Sequence, residues 1–260
     1  MLRGQLFKIS VAALVFLVIL LPAFFCLSKK KPVFYPRSLT TVIEGSTLGQ
    51  IDKLLSERKI VRPGEIVGFD IEKVRTNYWF LDKAAGLEGF LFPDTYEFFL
   101  NSSPEVAVRK FLDNFNKKAG PLVFGKDAVK IITLASIIEK EVPEIGEDRL
   151  LVSGVLTKRL KSGMPLQVDA SICFIKNPLG CGGVSGLDLK IDSPYNTYLY
   201  SGLPPTPIAN PGLSAIRAAL DPKPSPYWFY ISSPKTKKTI FAKTLDEHQR
   251  NIVKYLGIKK

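Results

Sequence analysis

Histidine and cysteine are the scarce residues of this chain, and their scarcity removes whole classes of chemistry. One histidine, His248, stands among 260 residues. Zinc sites draw on several His and Cys ligands at short spacing. No close Cys pair is present either, so neither a metal nor another cofactor is expected. Ser-His-Asp and Cys-His catalysis would have to recruit that single histidine, which reads better as a polar surface residue. Three cysteines are too few for a disulfide scaffold. Cys26 lies in an apolar run. Cys173 and Cys181 stand eight positions apart around a Pro-Gly loop, to pair in an exported protein or to stay as buried thiols. Nucleic-acid signatures are missing too. The formal net charge of +12 is spread along the chain, with no recognised motif or Arg/aromatic pattern. Such a surface suits anionic lipid heads or an acidic polymer.

What is present begins with one long apolar run, ISVAALVFLVILLPAFFCL over residues 9–27, which carries no charge. A bilayer core about 30 Å thick needs roughly 20 such residues as a helix, so the run is just long enough to span. A cleaved signal peptide would have a shorter apolar region and a small-x-small cleavage site. Here the run ends in Phe24, Phe25, Cys26 and Leu27, and Cys26 lacks the small residue a lipoprotein signal places before it. The expectation is an uncleaved signal-anchor. Flanking charge does not orient it: Arg3 and Lys8 precede the run, while Lys29, Lys30 and Lys31 follow.

Residues 28–38 form a Lys- and Pro-rich linker. A strand is expected over 39–43, then a Glu44-Gly45 turn. Ser46 or Thr47 caps a helix with Leu48, Ile51, Leu54 and Leu55 on one face. The aromatic-rich segment 87–99, with a Pro-Asp turn at its centre, reads as two short strands or an elbow. Ser103-Pro104 opens a helix with Val106, Phe111, Leu112 and Phe115 inward, ended by Gly120. The strongest helix covers 126–142, its apolar face carrying Ile131, Leu134, Ala135, Ile138 and Val142. A second runs over 147–162 with Leu150, Leu151, Val155 and Leu160 inside, stopped by Gly163. PLQVDASICF and the following Pro- and Gly-dense stretch read as strand and ordered loop. A helix through Leu220, a hairpin around Ser233-Pro234-Lys235 and a closing helix over 244–256 complete the chain. Strands and helices are segregated rather than alternating, which places the fold in the α+β class.

Chemistry concentrates at the end of the strongest helix, IIEKE. Glu139 and Glu141 lie about 160–200° apart around the axis, one on each flank of the apolar face. An apolar surround disfavours the ionised carboxyl and raises its pKa, as a general acid near neutral pH requires. The competing reading is a solvated pair at a helix end.

The blocks LEGFLFPDTYEF, ITLASIIEKE, RLKSGMPLQVDASI and SPYNTYLYSGLPPTPIANPG follow one another in this order. With the ending NPGLSAIRAALDPKPSPYWFYIS…KTIFAKTLDEHQRNIVKYL they resemble the endolytic murein transglycosylases of the MltG/YceG-like family. The resemblance implies an N-terminal tail (1–8) inside the cell, the anchor (9–27), the linker (28–38), a shortened LysM-like subdomain (39–85) and a catalytic domain (86–260). It implies a single-pass protein of the bacterial cytoplasmic membrane with its bulk facing the periplasm or outside. Its substrate would be peptidoglycan glycan strands, cleaved at the MurNAc–GlcNAc bond to leave 1,6-anhydroMurNAc ends, and its partners would include penicillin-binding proteins. Nascent strand elongation would end at such a cut.

By the same resemblance Glu141 is the catalytic acid/base and Glu139 the reserve. Gln167, Asp169, Tyr195, Asn196 and Thr197 would line the glycan groove or, equally, cap turns and fill core. Glu88 and Asp94 read as turn-structuring, and Trp79 and Trp228 as core. A single titratable residue suits a chain poor in other catalytic groups, because a lytic transglycosylase uses the sugar's own hydroxyl as nucleophile. The rival readings are a catalytically silent wall-binding scaffold and a hydrolytic muramidase of the same bond.

Overall fold

A computed structural model describes residues 36–142, 146–233 and 238–257. The expected membrane anchor falls outside them. Among the described residues no helix is long and apolar enough to cross a membrane.

Strand β1 (Arg37–Thr41) pairs antiparallel with β2 (Thr95–Phe99), Leu39 standing opposite Glu97. The pairing reaches past residue 85, because the second strand comes from the aromatic segment that follows. Helix α1 (Leu48–Glu57) follows β1. Thr47 caps it, accepting from Gln50 N–H, while the Gln50 side chain accepts from Thr47 N–H at 2.9 Å. This is a capping box, in which two otherwise unsatisfied amides find partners. Ile51 and Leu55 face the core, and the buried Asp52 accepts from the amides of Gly64 and Ile66 at 2.7 and 2.8 Å.

Helix α2 (Pro104–Lys118) starts at the Ser103 cap and buries Ala107, Val108, Phe111, Leu112 and Phe115. Val106, expected inside, is exposed. It lies five residues from Phe111, about 140° around the helix.

Helix α3 (Ala128–Glu141) runs through the middle of the molecule, and every residue from Ile132 to Glu139 is buried. Asp127 caps its start. Helix α4 (Glu147–Lys161) turns Val152, Val155 and Leu156 inward together with two arginines, Arg149 and Arg159. Leu150, expected inside, is exposed. The two guanidiniums reach buried carbonyl oxygens, and those contacts set the inward face.

Helix α5 (Asp169–Lys176) stands where a strand was expected. Leu166 and Val168 do alternate as a strand would. The left-handed Gln167 (φ 51°) interrupts any strand there, and the next amide, that of Val168, donates to Thr197 Oγ1 at 3.0 Å. Helix α6 (Leu213–Leu220) packs on α3. Strands β3 (Phe229–Ser232) and β4 (Thr239–Ala242) form the expected antiparallel hairpin. Helix α7 (Leu245–Asn251), capped by Thr244, continues as a wider turn, Ile252–Leu256. The architecture is α+β.

Candidate active site

The end of α3, one side of α5 and the start of α1 meet at a cleft of about 360 Å³. Lys140 and Glu141 contribute from α3, Asp169, Ala170 and Cys173 from α5, and Thr47 and Gln50 from the start of α1. The segment after α5 supplies a wall. There Cys173 and Cys181 form a disulfide with Cα atoms 5.2 Å apart. Thr47 Oγ1 donates to Pro178 O at 2.7 Å and Gln50 Nε2 to Leu179 O at 3.0 Å, so α1 holds the disulfide loop in place.

Glu141 is half-buried, its carboxyl lying among protein atoms. Tyr230 of β3 donates its hydroxyl to Glu141 Oε2 at 3.0 Å. Burial is the main cause that pushes this carboxyl up to about 7, and the nearby charge of Asp169 adds to it. Tyr230, the Ala170 amide and the Arg159 guanidinium pull the other way without reversing the shift. Burial also raises the Tyr230 hydroxyl well above the ordinary tyrosine range, so it remains a donor. A carboxyl in this state holds a proton near neutrality and takes one back, which suits general acid–base work.

Glu139 faces the opposite way. Only 4% exposed, it pairs with the buried Arg149 at 2.8 Å and accepts from Gly212 N–H at 3.0 Å. Burial raises its pKa against the Gly212 amide and the Arg149 charge. Arg149 also donates to Val142 O. Glu139 thus ties α3 to α4 and to the start of α6 and does not line the cleft.

Of the five residues expected to line a groove, Asp169 shares the cleft with Glu141. Tyr198 Oη donates to Asp169 Oδ1 at 2.6 Å. Gln167 is exposed in a left-handed conformation (φ 51°), its amide donating to Thr197 O. Asn196 is fully buried and donates to Leu189 O and Ile191 O. Thr197 faces Val168 and Ser171. Tyr195 stands behind the cleft-lining Phe174, ring centroids 5.2 Å apart, and shares a hydrogen bond with Thr206. Glu88 accepts from Leu48 N–H at 2.9 Å and from Asn210 Nδ2 at 3.0 Å, and burial pushes it up to about 7. Asp94 accepts from Asn114 and Lys118. Trp79 is 40% exposed and packs edge-on against Phe80 and Phe124, while Trp228 carries Lys158 over its ring at 3.9 Å. His248, expected at the surface, is half-buried and stacks on Phe229.

Three residues at the site escaped the sequence reading. Tyr230 was hidden in an aromatic hairpin strand, and Tyr198 sat one position past the three residues singled out in its block. Arg159 looked like any helix-end cation. It is buried and donates to Leu166 O at 2.6 Å and to Trp228 O at 2.6 and 2.9 Å. A basic residue at a helical position flanked by buried aliphatics was the available signal.

The sequence model of the YceG-like family matches residues 26–254. The chain belongs to the YceG-like family. Its relatives include the endolytic murein transglycosylase of Bacillus subtilis, 37% identical over 66% of this chain and 49% of the relative. That of Streptococcus pneumoniae (strain D39) is 32% identical over 66% of this chain and 33% of the relative. The chain thus spans half or less of the curated relatives it matches. A crystal structure of a YceG-like protein from Listeria monocytogenes matches with a TM-score of 0.68 and 29% identity, over 84% of this chain and 76% of that one. The YceG-like fold therefore extends across nearly all the described residues.

Proposed function

We propose that this YceG-like chain is an endolytic peptidoglycan lytic transglycosylase with Glu141 as its acid/base. The carrying observation is a half-buried carboxyl at the cleft, pushed up to about 7 and oriented by the Tyr230 hydroxyl. In this reading the protonated Glu141 donates to the departing glycosidic oxygen. The resulting carboxylate then accepts the proton of the C6 hydroxyl as that oxygen closes on the anomeric carbon of the same sugar, leaving a 1,6-anhydroMurNAc end. The nucleophile belongs to the substrate, and intramolecular attack supplies its effective molarity. Glu139, committed to Arg149 and Gly212, serves as structure.

The β1–α1–β2 arrangement, two antiparallel strands with helix between, supports a LysM-like unit whose helix start borders the cleft. The disulfide supports an exported catalytic region, because such bonds persist in oxidising compartments. With the apolar run at 9–27 it supports the reading of a single-pass protein of the cytoplasmic membrane, its cleft outside, near penicillin-binding proteins whose nascent strands it would end.

The test is digestion of isolated glycan strands with mass analysis of the new ends. Glu141→Gln keeps size and hydrogen bonding but removes the transferable proton. General acid–base assistance is worth about 10²–10⁴-fold, and one residue serving both steps places the loss at or above the upper end. Wild-type protein that forms reducing ends in place of anhydro ends would be a muramidase. Full activity in Glu141→Gln would reject the acid assignment.

A further inference from the structure

The cleft holds a second carboxylate that the single-glutamate scheme leaves without a task. Asp169, the first residue of α5, is exposed and lines the same cleft as Glu141. Its Oδ1 accepts from Tyr198 Oη at 2.6 Å, a short contact to one hydroxyl that fixes the carboxyl's orientation. Among the described residues no Lys, Arg or His comes within ion-pair distance of Asp169 or Glu141. This is notable in a chain with 36 Lys and Arg against 24 Asp and Glu. Beneath the pair lies Arg159, whose guanidinium is spent on the carbonyls of Leu166 and Trp228. Leu166 precedes Asp169 by three residues and Trp228 precedes Tyr230 by two, so one buried side chain fixes the approach of both segments to the cleft. The result is two carboxylates facing one cleft, each with its own tyrosine donor.

We propose that Asp169, held by Tyr198, is a second catalytic carboxylate that lies against the reacting sugar and stabilises the positive charge that develops there. This rests on the proposed transglycosylase reading and deepens it. As the Glu141 proton passes to the glycosidic oxygen, the bond from the anomeric carbon breaks and both electrons leave on that oxygen. Positive charge spreads over the anomeric carbon and the ring oxygen. Asp169 opposes it through space and forms no bond. The C6 hydroxyl then adds to the anomeric carbon and its proton goes to Glu141, so atoms and charge balance with no water consumed. The charge of Asp169 has a second effect on the ground state: with burial, it keeps the proton on Glu141. The charged groups facing Glu141 are Asp169 on α5 and Arg159 on α4, with Tyr230 on β3 as donor and Lys140 beside it on α3.

The experiment is steady-state kinetics of the full chain on isolated glycan strands, counting anhydro ends, for wild type, Asp169→Asn, Tyr198→Phe and Glu141→Gln. Fixed charge aimed at a transition state is worth about 10²–10³-fold in rate. Asp169→Asn should therefore lower kcat by about that factor with KM changed less than about threefold. It should also move the alkaline limb of the pH–rate profile to lower pH, because the anion that helps hold the Glu141 proton is gone. Tyr198→Phe, which keeps the carboxylate but frees its orientation, should lower kcat by about tenfold. A raised KM at unchanged kcat in Asp169→Asn would reduce the residue to a binding contact and overturn the proposal. A lower kcat with the alkaline limb unmoved in Asp169→Asn would mean a structural role and overturn it too. The Glu141→Gln arm reports separately: activity surviving there rejects the acid assignment. Wild-type kcat in Asp169→Asn, beside a silent Glu141→Gln, rejects the Asp169 proposal alone.

Discussion

Two glutamates two positions apart meet opposite fates, and the contrast has a measurable consequence. Burial places Glu141 at about 7, above the ordinary value of 4.5. The folded protein therefore binds more protons than the unfolded chain between these values, and its stability falls as pH rises through that window. A shift of this size corresponds to about 3 kcal/mol. Glu141→Gln removes the titration, so its melting temperature should exceed that of the wild type at pH 8 and match it near pH 4. Glu139→Gln should behave oppositely at pH 8. It removes the carboxylate beside a buried guanidinium, a change worth roughly 3–5 kcal/mol of destabilisation. Thermal melts of the three proteins across pH decide this, and a Glu141→Gln protein less stable than wild type at pH 8 would contradict the buried, protonated carboxyl. The sequence placed these residues on opposite flanks of one helix, which was correct. It did not say which flank opened to a cleft, because that depends on α4, α6 and β3 closing around the helix from positions up to 89 residues away.

At the scale of elements, the helix starts at Thr47 and Ser103 and most inward faces were legible, and the face of α4 was not. Thr47, Ser103, Asp127 and Thr244 each accept a hydrogen bond from an amide in the first turn of their helix, chemistry local enough to be read from adjacent residues. The inward face of α4 was misjudged because its buried positions include Arg149, Ser153, Gly154 and Arg159, which no hydrophobic period would select. Gly154 shows what decides that face. A Cβ on it would stand 1.9 Å from the carbonyl oxygen of Lys223, a backbone atom that cannot swing aside. The Lys223 amide is itself bonded to Leu150 O at 3.2 Å, so the segment leading to β3 lies directly on the helix. By helix propensity alone, Gly154→Ala would gain about 1 kcal/mol. Overpacking costs typically 1–3 kcal/mol, and with a backbone atom in the way the loss should prevail. The expected outcome is a lower denaturation midpoint with helix content retained, and a stabilised variant would refute the close approach. Because the segment carries Trp228 toward Tyr230, activity should fall as well.

The whole molecule joins blocks that the chain keeps far apart. The glutamate of α3 and the LQVD block that enters α5 meet at one cleft, the aromatic strand β3 reaches that glutamate through Tyr230, and the buried Arg159 ties the LQVD block to the lead-in of β3. The order of these blocks in the sequence carries the family resemblance, yet their convergence rests on a cation bonded to carbonyls, an arrangement without a short-range signature. The helix at α5 belongs to the same lesson. Its lead-in alternates in burial like a strand, but Gln167 is left-handed and the Val168 amide goes to a threonine hydroxyl 29 residues on. The disulfide also acts at this scale, since it secures the wall of the cleft that α1 grips through Pro178 and Leu179. Cross-linking positions eight apart constrains the unfolded chain by about 2.5 kcal/mol in the loop-entropy model. For a domain of this size that amounts to roughly 5–10 °C in melting temperature. The oxidised, denatured protein should accordingly expose one reactive thiol, Cys26, and the reduced protein three. Reduction, or Cys173→Ser with Cys181→Ser, should lower the melting temperature by that amount. It should raise KM for glycan strands as the wall loosens, with kcat kept, because Glu141, Tyr230 and Arg159 lie outside the loop. Three reactive thiols without reductant would remove the bond, and a kcat that collapses with KM unchanged would show that the loop belongs to the chemistry and not to the wall.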